Sequence, residues 1–242
     1  MVGILLDSPA RLPFSFQREA VCQVDTSRTR VKICGITRLT DIQAAVAAGA
    51  DALGFVFVPA SRRSIAVEAA RDLVARVPAF VQSVALFSDP SVDWVETVVD
   101  QVGPDMLQFH GGESGRFCRQ FGRPYLKAIS AELDEERRRR VIQDHHTARG
   151  FLLDSHAVSG LGGTGHAFDW SRWPRETGRD RRPWILAGGL SPDNVAEAVT
   201  TLRPYAVDVS SGVEDMPGIK SAEKINAFIQ GVAHAREQRH GD

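Results

Sequence analysis

The chain has 242 residues, 43% of them hydrophobic and 24% charged, which is enough to bury a sizeable core in one large domain or two small ones. A formal net charge of −1 argues against the strongly basic surface that selects nucleic acid or an anionic membrane, so we expect neither as a partner. Apolar runs such as residues 52–58 fall far short of the ~18 residues that a membrane span needs.

Three cysteines, Cys22, Cys34 and Cys118, stand at wide and irregular spacing. This spacing fits neither a disulfide framework nor a metal site, and the histidines show no ligand spacing with one another. We therefore expect no metal, and a reducing, cytoplasmic setting for the protein.

Residues 1–29 differ from the rest of the chain because they mix basic with acidic side chains and show no sustained hydrophobic period. They also lack the apolar stretch and the cleavage site of a signal peptide. We expect a poorly ordered extension over residues 1–29, a catalytic domain over 30–233 and a polar tail over 234–242.

From residue 30 onward, short β-rich runs alternate with segments of helical spacing. The predicted strands are 31–34, 52–58, 81–87, 105–110, 124–129, 150–154, 183–188 and 205–210. Helix starts are predicted at Thr40 with Asp41, Ser64, Ser91, and Ser191 with Pro192, and helix ends near Gly49, Pro78 and Gly103. Eight such units of roughly 25 residues predict a single (β/α)8 TIM barrel of the α/β class, with a doubly wound open sheet as the alternative.

In such a barrel, functional residues come from the carboxyl ends of the strands and from the loops that follow them. Polar residues and glycines stand at these places in the sequence, namely Cys34, Gln108, His110, Asp154, Gly188, Gly189, Asp208, Ser210 and Ser211. Because side chains two apart in a strand share a face, Lys32 is predicted to point into the barrel together with Cys34. The same alternation pairs Gln108 with His110 and Asp208 with Ser210.

Three glycine-rich segments follow the last three predicted strands, at 162–165, 187–190 and 210–214. Glycine lets backbone N–H groups approach an anion closely, and a helix that begins just afterwards adds its positive end. A single cluster is equally well explained as a tight turn, but three in adjacent loops favour a phosphate site. The partner is then a small phosphorylated molecule, bound by Gly162, Gly163, Gly188, Gly189, Ser210 and Ser211.

Cys34 and Asp154 are predicted at the mouths of the first and sixth strands, where a ligand between them could exchange protons with both. Two plainer interpretations stay open, since Cys34 could be a buried apolar side chain and Asp154 a helix cap. A thiol is a weak base at neutral pH unless nearby cations favour the thiolate. Lys32, Arg62 or Arg63 could supply that charge.

A series of segments carries a further signal. In chain order they are KICGIT (32–37), GADALGFVF (49–57), SRRSI (61–65), LF-S-D (86–89), LQFHGGE (107–113), LLDS (152–155), GGTGHAFDW (162–170), LAGGLSPDNV (186–195), VDVSSGVE (207–214) and PGIK (217–220). Together they resemble the phosphoribosylanthranilate isomerase family of tryptophan biosynthesis. The resemblance covers about residues 30 to 232 in order, and the ordered set is far more specific than any one segment.

The resemblance implies an enzyme that converts N-(5-phosphoribosyl)anthranilate to 1-(2-carboxyphenylamino)-1-deoxyribulose 5-phosphate by an Amadori rearrangement, without metal or cofactor. It implies Asp154 as the general acid that opens the furanose ring and Cys34 as the general base that removes a proton from the adjacent sugar carbon. Arg63 matches the residue expected to hold the anthranilate carboxylate, a task suited to a planar guanidinium. The other substrate-binding residues expected are Gln108, His110 and Asp208.

Two features depart from the family's pattern, because Ser64 stands where a larger residue is expected and residues 1–29 have no counterpart. Other phosphate-binding barrels remain as alternatives: an indole-glycerol-phosphate synthase, an epimerase, or a dual isomerase that also acts in histidine synthesis. The dual isomerases carry an aspartate where this chain has Cys34, which argues against that alternative. A sugar-phosphate-binding module without chemistry is the non-enzymatic alternative, and the sequence leaves both a monomer and a homodimer open.

Overall fold

A closed barrel of parallel strands forms the centre of the molecule. The computed structural model describes residues 28–154, 172–174 and 182–237. The barrel strands are β1 (Arg30–Cys34), β2 (Ala52–Val56), β3 (Gln82–Phe87), β4 (Met106–Phe109), β5 (Tyr125–Ser130), β6 (Gly150–Asp154), β7 (Trp184–Ala187) and β8 (Ala206–Val209). Each strand pairs with the next, and β1 also pairs with β8. The predicted (β/α)8 barrel is confirmed, and the open-sheet alternative is wrong because β1 and β8 close the sheet on itself.

Helices alternate with the strands along the chain. They are α1 (Leu39–Ala48), α2 (Val67–Val74), α3 (Val92–Val102), α4 (Gly115–Arg119), α5 (Glu135–Asp144), α6 (Val195–Leu202) and α7 (Ala222–Glu237). A two-stranded hairpin, β9 (Glu214–Met216) with β10 (Ile219–Lys220), lies between β8 and α7. Residues 234–237 of the predicted tail belong to α7, so the helix continues past the expected boundary. Among the described helices, none is long and apolar enough to cross a bilayer.

Local signals set several helix ends as predicted. The Ser91 hydroxyl accepts a hydrogen bond from the backbone N–H of Trp94 and so caps α3. Gly49 and Gly103 follow α1 and α3 in the left-handed conformation, with φ of 98° and 65°. That conformation is strained for residues with a Cβ atom, which explains the glycines at these two positions.

Other helix ends differ from the predictions. The prediction that Ser64 begins a helix is wrong, because the N–H of Ile65 bonds to Val56 O and keeps this segment extended beside β2. As a result α2 begins only after Ala66. It ends at Val74, and Pro78 lies past its end as predicted.

The starts of α1 and α6 are shifted by a few residues. Thr40 and Asp41 lie inside the first turn of α1, and α6 begins after Asn194 rather than at Ser191.

The apolar core has two parts. The larger part packs the outward faces of the strands against the helices and includes Ile33, Phe55, Phe151, Val195 and Phe228. A smaller cluster lies inside the barrel, formed by Leu126, Ala128, Leu152, Ile185, Ala187 and Ala206. Nearer the carboxyl ends of the strands the inward positions become polar, and this change along the barrel axis creates the site.

The amino-terminal end of the barrel is built differently and contains an open cavity of about 1000 Å³. At this end, carboxylates in the loops that lead into β2 and β4 accept hydrogen bonds from the neighbouring strands β1 and β3. Asp51 accepts from the Val31 N–H at 2.8 Å, and Asp105 accepts from the Ser83 N–H at 2.8 Å and from its hydroxyl at 2.7 Å. Phe80, in the loop before β3, is fully exposed at this end.

Candidate active site

A second cavity, of about 150 Å³, opens at the carboxyl ends of the barrel strands. The predicted site residues that line it are Cys34, Arg63, His110, Asp154, Gly188, Gly189, Asp208, Ser210 and Ser211. Gln108 is fully buried and does not line the cavity, and Gly162 and Gly163 lie outside the described residues. Polar groups from distant parts of the chain thus converge on one space.

Apolar side chains complete the wall of the cavity. Val56, Val58 and Leu86 line it beside Arg63, from the β2 and β3 side. Ser64, the residue that departs from the family's pattern, is exposed and does not line the cavity. An apolar wall with a few convergent polar groups suits a small molecule that has an aromatic part.

Cys34 ends β1 and is 5% exposed. The neighbouring strand makes room for it with Gly54, where an added Cβ atom would lie 2.8 Å from the Cys34 sulfur and 3.0 Å from Lys32 Nζ. The thiol and the ammonium group therefore lie close together beside the same glycine. A side chain at position 54 would push them apart.

Lys32 forms a buried ion pair with Asp208, with 2.9 Å between Nζ and Oδ1. Burial is the largest effect and would lower the pKa of Lys32, but the charges and hydrogen bonds of Asp208 and Cys34 together outweigh it, so the pKa is raised and the ammonium stays charged. For Cys34, burial is the largest effect and raises the pKa of the thiol, although the charge of Lys32 opposes that rise. The resting protein therefore holds Cys34 as a thiol beside a cation.

Asp154, at the end of β6, is hydrogen-bonded to His110, with 3.0 Å between Asp154 Oδ2 and the imidazole Nε2. The other imidazole nitrogen, Nδ1, lies 3.4 Å from Gln108 Nε2. In this arrangement the amide donates to Nδ1, so Nε2 carries the hydrogen that is donated to Asp154. If the Gln108 side-chain amide flips by about 180°, its oxygen accepts from the His110 Nδ1–H. A protonated Asp154 can then donate to Nε2. The histidine can therefore accompany either protonation state of Asp154.

Arg63, in the loop after β2, is engaged by a residue that the sequence predictions did not include. Its Nε and Nη2 atoms each donate to Glu214 at 2.8 Å, and Glu214 also accepts from Lys220 Nζ at 2.8 Å. Burial is the largest effect and would raise the pKa of Glu214, but the hydrogen bonds and charges of Arg63 and Lys220 together outweigh it, so the pKa is lowered. The carboxylate is therefore ionised at neutral pH.

The loops after β7 and β8 lie side by side. Gly188 and Gly189 both have positive φ, 86° and 66°. Gly212 approaches the neighbouring loop so closely that an added Cβ atom would meet Leu190 O at 1.9 Å. The Asn194 amide donates to Gly189 O at 2.9 Å and fixes the turn before α6. These loops bring exposed backbone and the Ser210 and Ser211 hydroxyls to one side of the cavity, a geometry suited to an anion.

Glu214, Lys220, Gly35 and Gly54 are the contributors that the sequence predictions missed. All four stand within the segments that carry the family resemblance, but no role could be assigned to them there. Glu214 is 151 positions from Arg63, and neither residue signals the other along the chain. Only the closed barrel brings their loops together.

Comparisons with known proteins agree with this geometry. Residues 31–231 match the family model of N-(5'-phosphoribosyl)anthranilate (PRA) isomerase. A protein of that name from Nitrosomonas eutropha is 49% identical over 205 residues, which is 85% of this chain and 97% of the relative.

Among solved structures, a phosphoribosyl anthranilate isomerase in complex with reduced 1-(o-carboxyphenylamino)-1-deoxyribulose 5-phosphate has a TM-score of 0.72 at 38% identity, over 85% of this chain and 99% of that one. Monomers generated from the dimeric phosphoribosylanthranilate isomerase of Thermotoga maritima give a TM-score of 0.72 at 37% identity, over the same 85% and 99%. The Thermotoga maritima relative is thus a dimer from which folded monomers have been generated.

Proposed function

This chain belongs to the N-(5'-phosphoribosyl)anthranilate isomerase family of tryptophan biosynthesis, and on that premise we propose that Asp154 and Cys34 catalyse its Amadori rearrangement as general acid and general base. The substrate is N-(5-phosphoribosyl)anthranilate and the product is 1-(2-carboxyphenylamino)-1-deoxyribulose 5-phosphate. One observation carries the assignment: Cys34 from β1 and Asp154 from β6 line the same cavity. A sugar between them can give a proton to one and receive one from the other.

The cavity is divided in a way that fits the three parts of the substrate. The loops of Gly188, Gly189 and Ser210 suit the phosphate, and the apolar wall beside Arg63 suits the anthranilate ring. The Arg63 guanidinium suits the ring carboxylate, because a planar fork binds a carboxylate with two parallel hydrogen bonds. The reacting sugar carbons then lie between the acid and the base.

The first step is ring opening. Protonated Asp154 gives its proton to the furanose oxygen, the bond from this oxygen to C1 breaks, and the electron pair on the anthranilate nitrogen forms a cationic imine with C1. His110 donates its Nε2–H to Asp154 Oδ2 at 3.0 Å and so orients the carboxyl, which leaves the proton on the other oxygen, Oδ1, for the sugar. The histidine is thus a support for the acid, with Gln108 behind it.

The second step is proton removal from C2. The imine cation makes this C–H bond acidic, and its positive charge also favours the thiolate of Cys34. This matters because burial raises the pKa of the thiol in the resting protein. The Cys34 thiol first loses its own proton to water, and the resulting thiolate takes the proton from C2. The electron pair of the C–H bond forms an enolamine, which returns to a ketone when C1 gains a proton and the C2 hydroxyl loses one. Lys32, beside the sulfur, stabilises the thiolate form.

Phosphoribosylanthranilate generated in the assay from ribose 5-phosphate and anthranilate tests the proposal. We expect the purified protein to convert the substrate, which is measured as a loss of its fluorescence. The rate should be the same with and without a chelator, since neither ring opening nor proton removal uses a metal here. Failure to exceed the rate of the uncatalysed reaction would contradict the proposal. The family match over residues 31–231 sets aside the indole-glycerol-phosphate synthase and epimerase alternatives.

A further inference from the structure

We infer that Glu214, itself held by Lys220, is a positioning residue that fixes the Arg63 guanidinium so that its outer edge selects a substrate carboxylate. The inference rests on the proposed function, because it names the group that makes the Arg63 subsite specific. Nothing in the family resemblance assigned a role to Glu214 or to Lys220. The support comes from hydrogen bonds, close packing and the balance of charge around Arg63.

A guanidinium has two edges that can each bind a carboxylate through two hydrogen bonds. Glu214 takes the side edge, since Arg63 Nε donates to Oε1 and Nη2 donates to Oε2, both at 2.8 Å. The end edge, formed by Nη1 and the second hydrogen of Nη2, donates to no acceptor among the described residues. Arg63 lines the cavity, so this remaining edge is available to a ligand there.

Glu214 is fixed more firmly than one ion pair would achieve. Its Oε1 atom also accepts from Lys220 Nζ at 2.8 Å and from the Gly218 N–H at 3.3 Å. Lys220 is fully buried and donates in addition to Ser210 O at 3.0 Å. The β9–β10 hairpin therefore holds the carboxylate in place and links it to the loop proposed for phosphate binding.

The aliphatic part of Arg63 is held as well. It packs on Gly35, the residue after Cys34, where an added Cβ atom would lie 2.6 Å from Arg63 Cδ and 3.2 Å from the Ser210 hydroxyl. Gly35 also has a φ of 81°, so a side chain would be strained as well as crowded. The aliphatic part of Arg63 packs on Gly35 and its guanidinium is hydrogen-bonded to Glu214, so the guanidinium has little freedom to rotate.

The charges on this side of the cavity do not cancel. Arg63 and Lys220 are cations and Glu214 is the anion between them, so the cluster has an excess of one positive charge beside the cavity. Burial lowers the pKa of Lys220, and the charge of Glu214 offsets only part of that fall. A carboxylate on the ligand would balance the excess positive charge. Glu214 thus reduces the repulsion between the buried Lys220 and the partly buried Arg63, and it leaves Arg63 with the charge needed to bind an anion.

Glu214→Gln is the direct test, because glutamine keeps the size of the side chain but removes its charge and one acceptor. We expect the KM for phosphoribosylanthranilate to rise about 10- to 100-fold, the range for losing a hydrogen bond to a charged group. The kcat should change much less, since the ring carboxylate takes no part in the bond changes. Asp215→Asn is the matched control, because Asp215 is an exposed neighbour that forms an ion pair with Lys224 and none with Arg63 or Lys220, and it should leave KM unchanged.

A second ligand separates positioning from a purely structural role. The reduced product analogue should bind to Glu214→Gln more weakly than to the wild type, whereas the same analogue made from aniline, which lacks the carboxylate, should bind both proteins equally. Equal losses for both ligands, or no loss for either, would overturn the inference. If Glu214→Gln does not fold, Glu214→Asp, which keeps the charge but shortens the side chain, should give the same ligand-dependent loss. These equilibrium measurements do not need turnover, so an inactive wild type would refute the proposed function alone.

Discussion

The two ends of the barrel use buried and half-buried charge in different ways. At the amino-terminal end, Asp51 and Asp105 bind the backbone of the strands next to them. At the carboxyl end, charged side chains bind one another across strands, as Lys32 does with Asp208 and Arg63 with Glu214. The first kind of contact stabilises the barrel; the second holds ionisable groups next to a cavity. The same residue types therefore serve stability at one end and chemistry at the other.

The largest expected effect belongs to the two groups that exchange protons with the substrate. Asp154→Asn and Cys34→Ser should each lower kcat about 10²- to 10⁴-fold, the usual contribution of a positioned acid or base. The free energy of unfolding, measured with urea, should not fall in parallel, since neither side chain holds strands together. Cys118→Ser is the control, because Cys118 is buried in α4, away from the cavity. A full rate for Cys34→Ser would contradict the assignment of the base.

A smaller effect is expected at Lys32, which should appear in the pH dependence of the rate. Burial raises the pKa of Cys34 and the charge of Lys32 lowers it, while Asp208 and Lys220 also act on the thiol. Lys32→Met should therefore raise the pKa of Cys34 further. Because Cys34 must lose its proton to act as a base, the rising limb of kcat/KM should move to higher pH. The rate at pH 7 should then fall roughly tenfold for every pH unit by which the limb moves.

Lys127→Met is the matched control for Lys32→Met. Lys127 is also a buried lysine of a barrel strand, and it pairs with Glu113 at 2.8 Å, but unlike Lys32 it is not among the groups that act on the pKa of Cys34. Both variants should lose stability, and only Lys32→Met should shift the pH profile. An unchanged profile in Lys32→Met would mean that Lys32 supports the fold and leaves the thiol unaffected.

The smallest effect on catalysis is expected at the amino-terminal end. Asp105→Ala removes the carboxylate that accepts from the N–H and hydroxyl of Ser83. The free energy of unfolding should fall by about 1–2 kcal/mol, the usual loss for one or two hydrogen bonds, while kcat and KM stay at wild-type values. Urea unfolding and steady-state kinetics on the same preparation check both parts. A large fall in kcat would show that the two ends of the barrel are not independent.

Much of the fold could be predicted from the sequence because the signals are local. A strand alternates its side chains over a few residues, and the Ser91 cap lies next to the helix it begins. Where prediction was wrong, a contact outside the segment itself decided, as at Ser64, where pairing with Val56 kept the chain extended. The same distinction holds for the site, since strand parity placed Lys32 with Cys34 but gave no sign of Glu214.

The sequence by itself determined the eight strands, their order along the chain and the residues at their carboxyl ends, because hydrophobic period and strand parity are properties of short segments. Only the tertiary structure decided the partners of those residues. Lys32 pairs with Asp208 across 176 positions and Arg63 with Glu214 across 151, and such pairs exist only because β1 and β8 close the sheet and bring the first and last loops together. Closure is also what buries the Cys34 thiol beside a cation, and so sets how strong a base it can be.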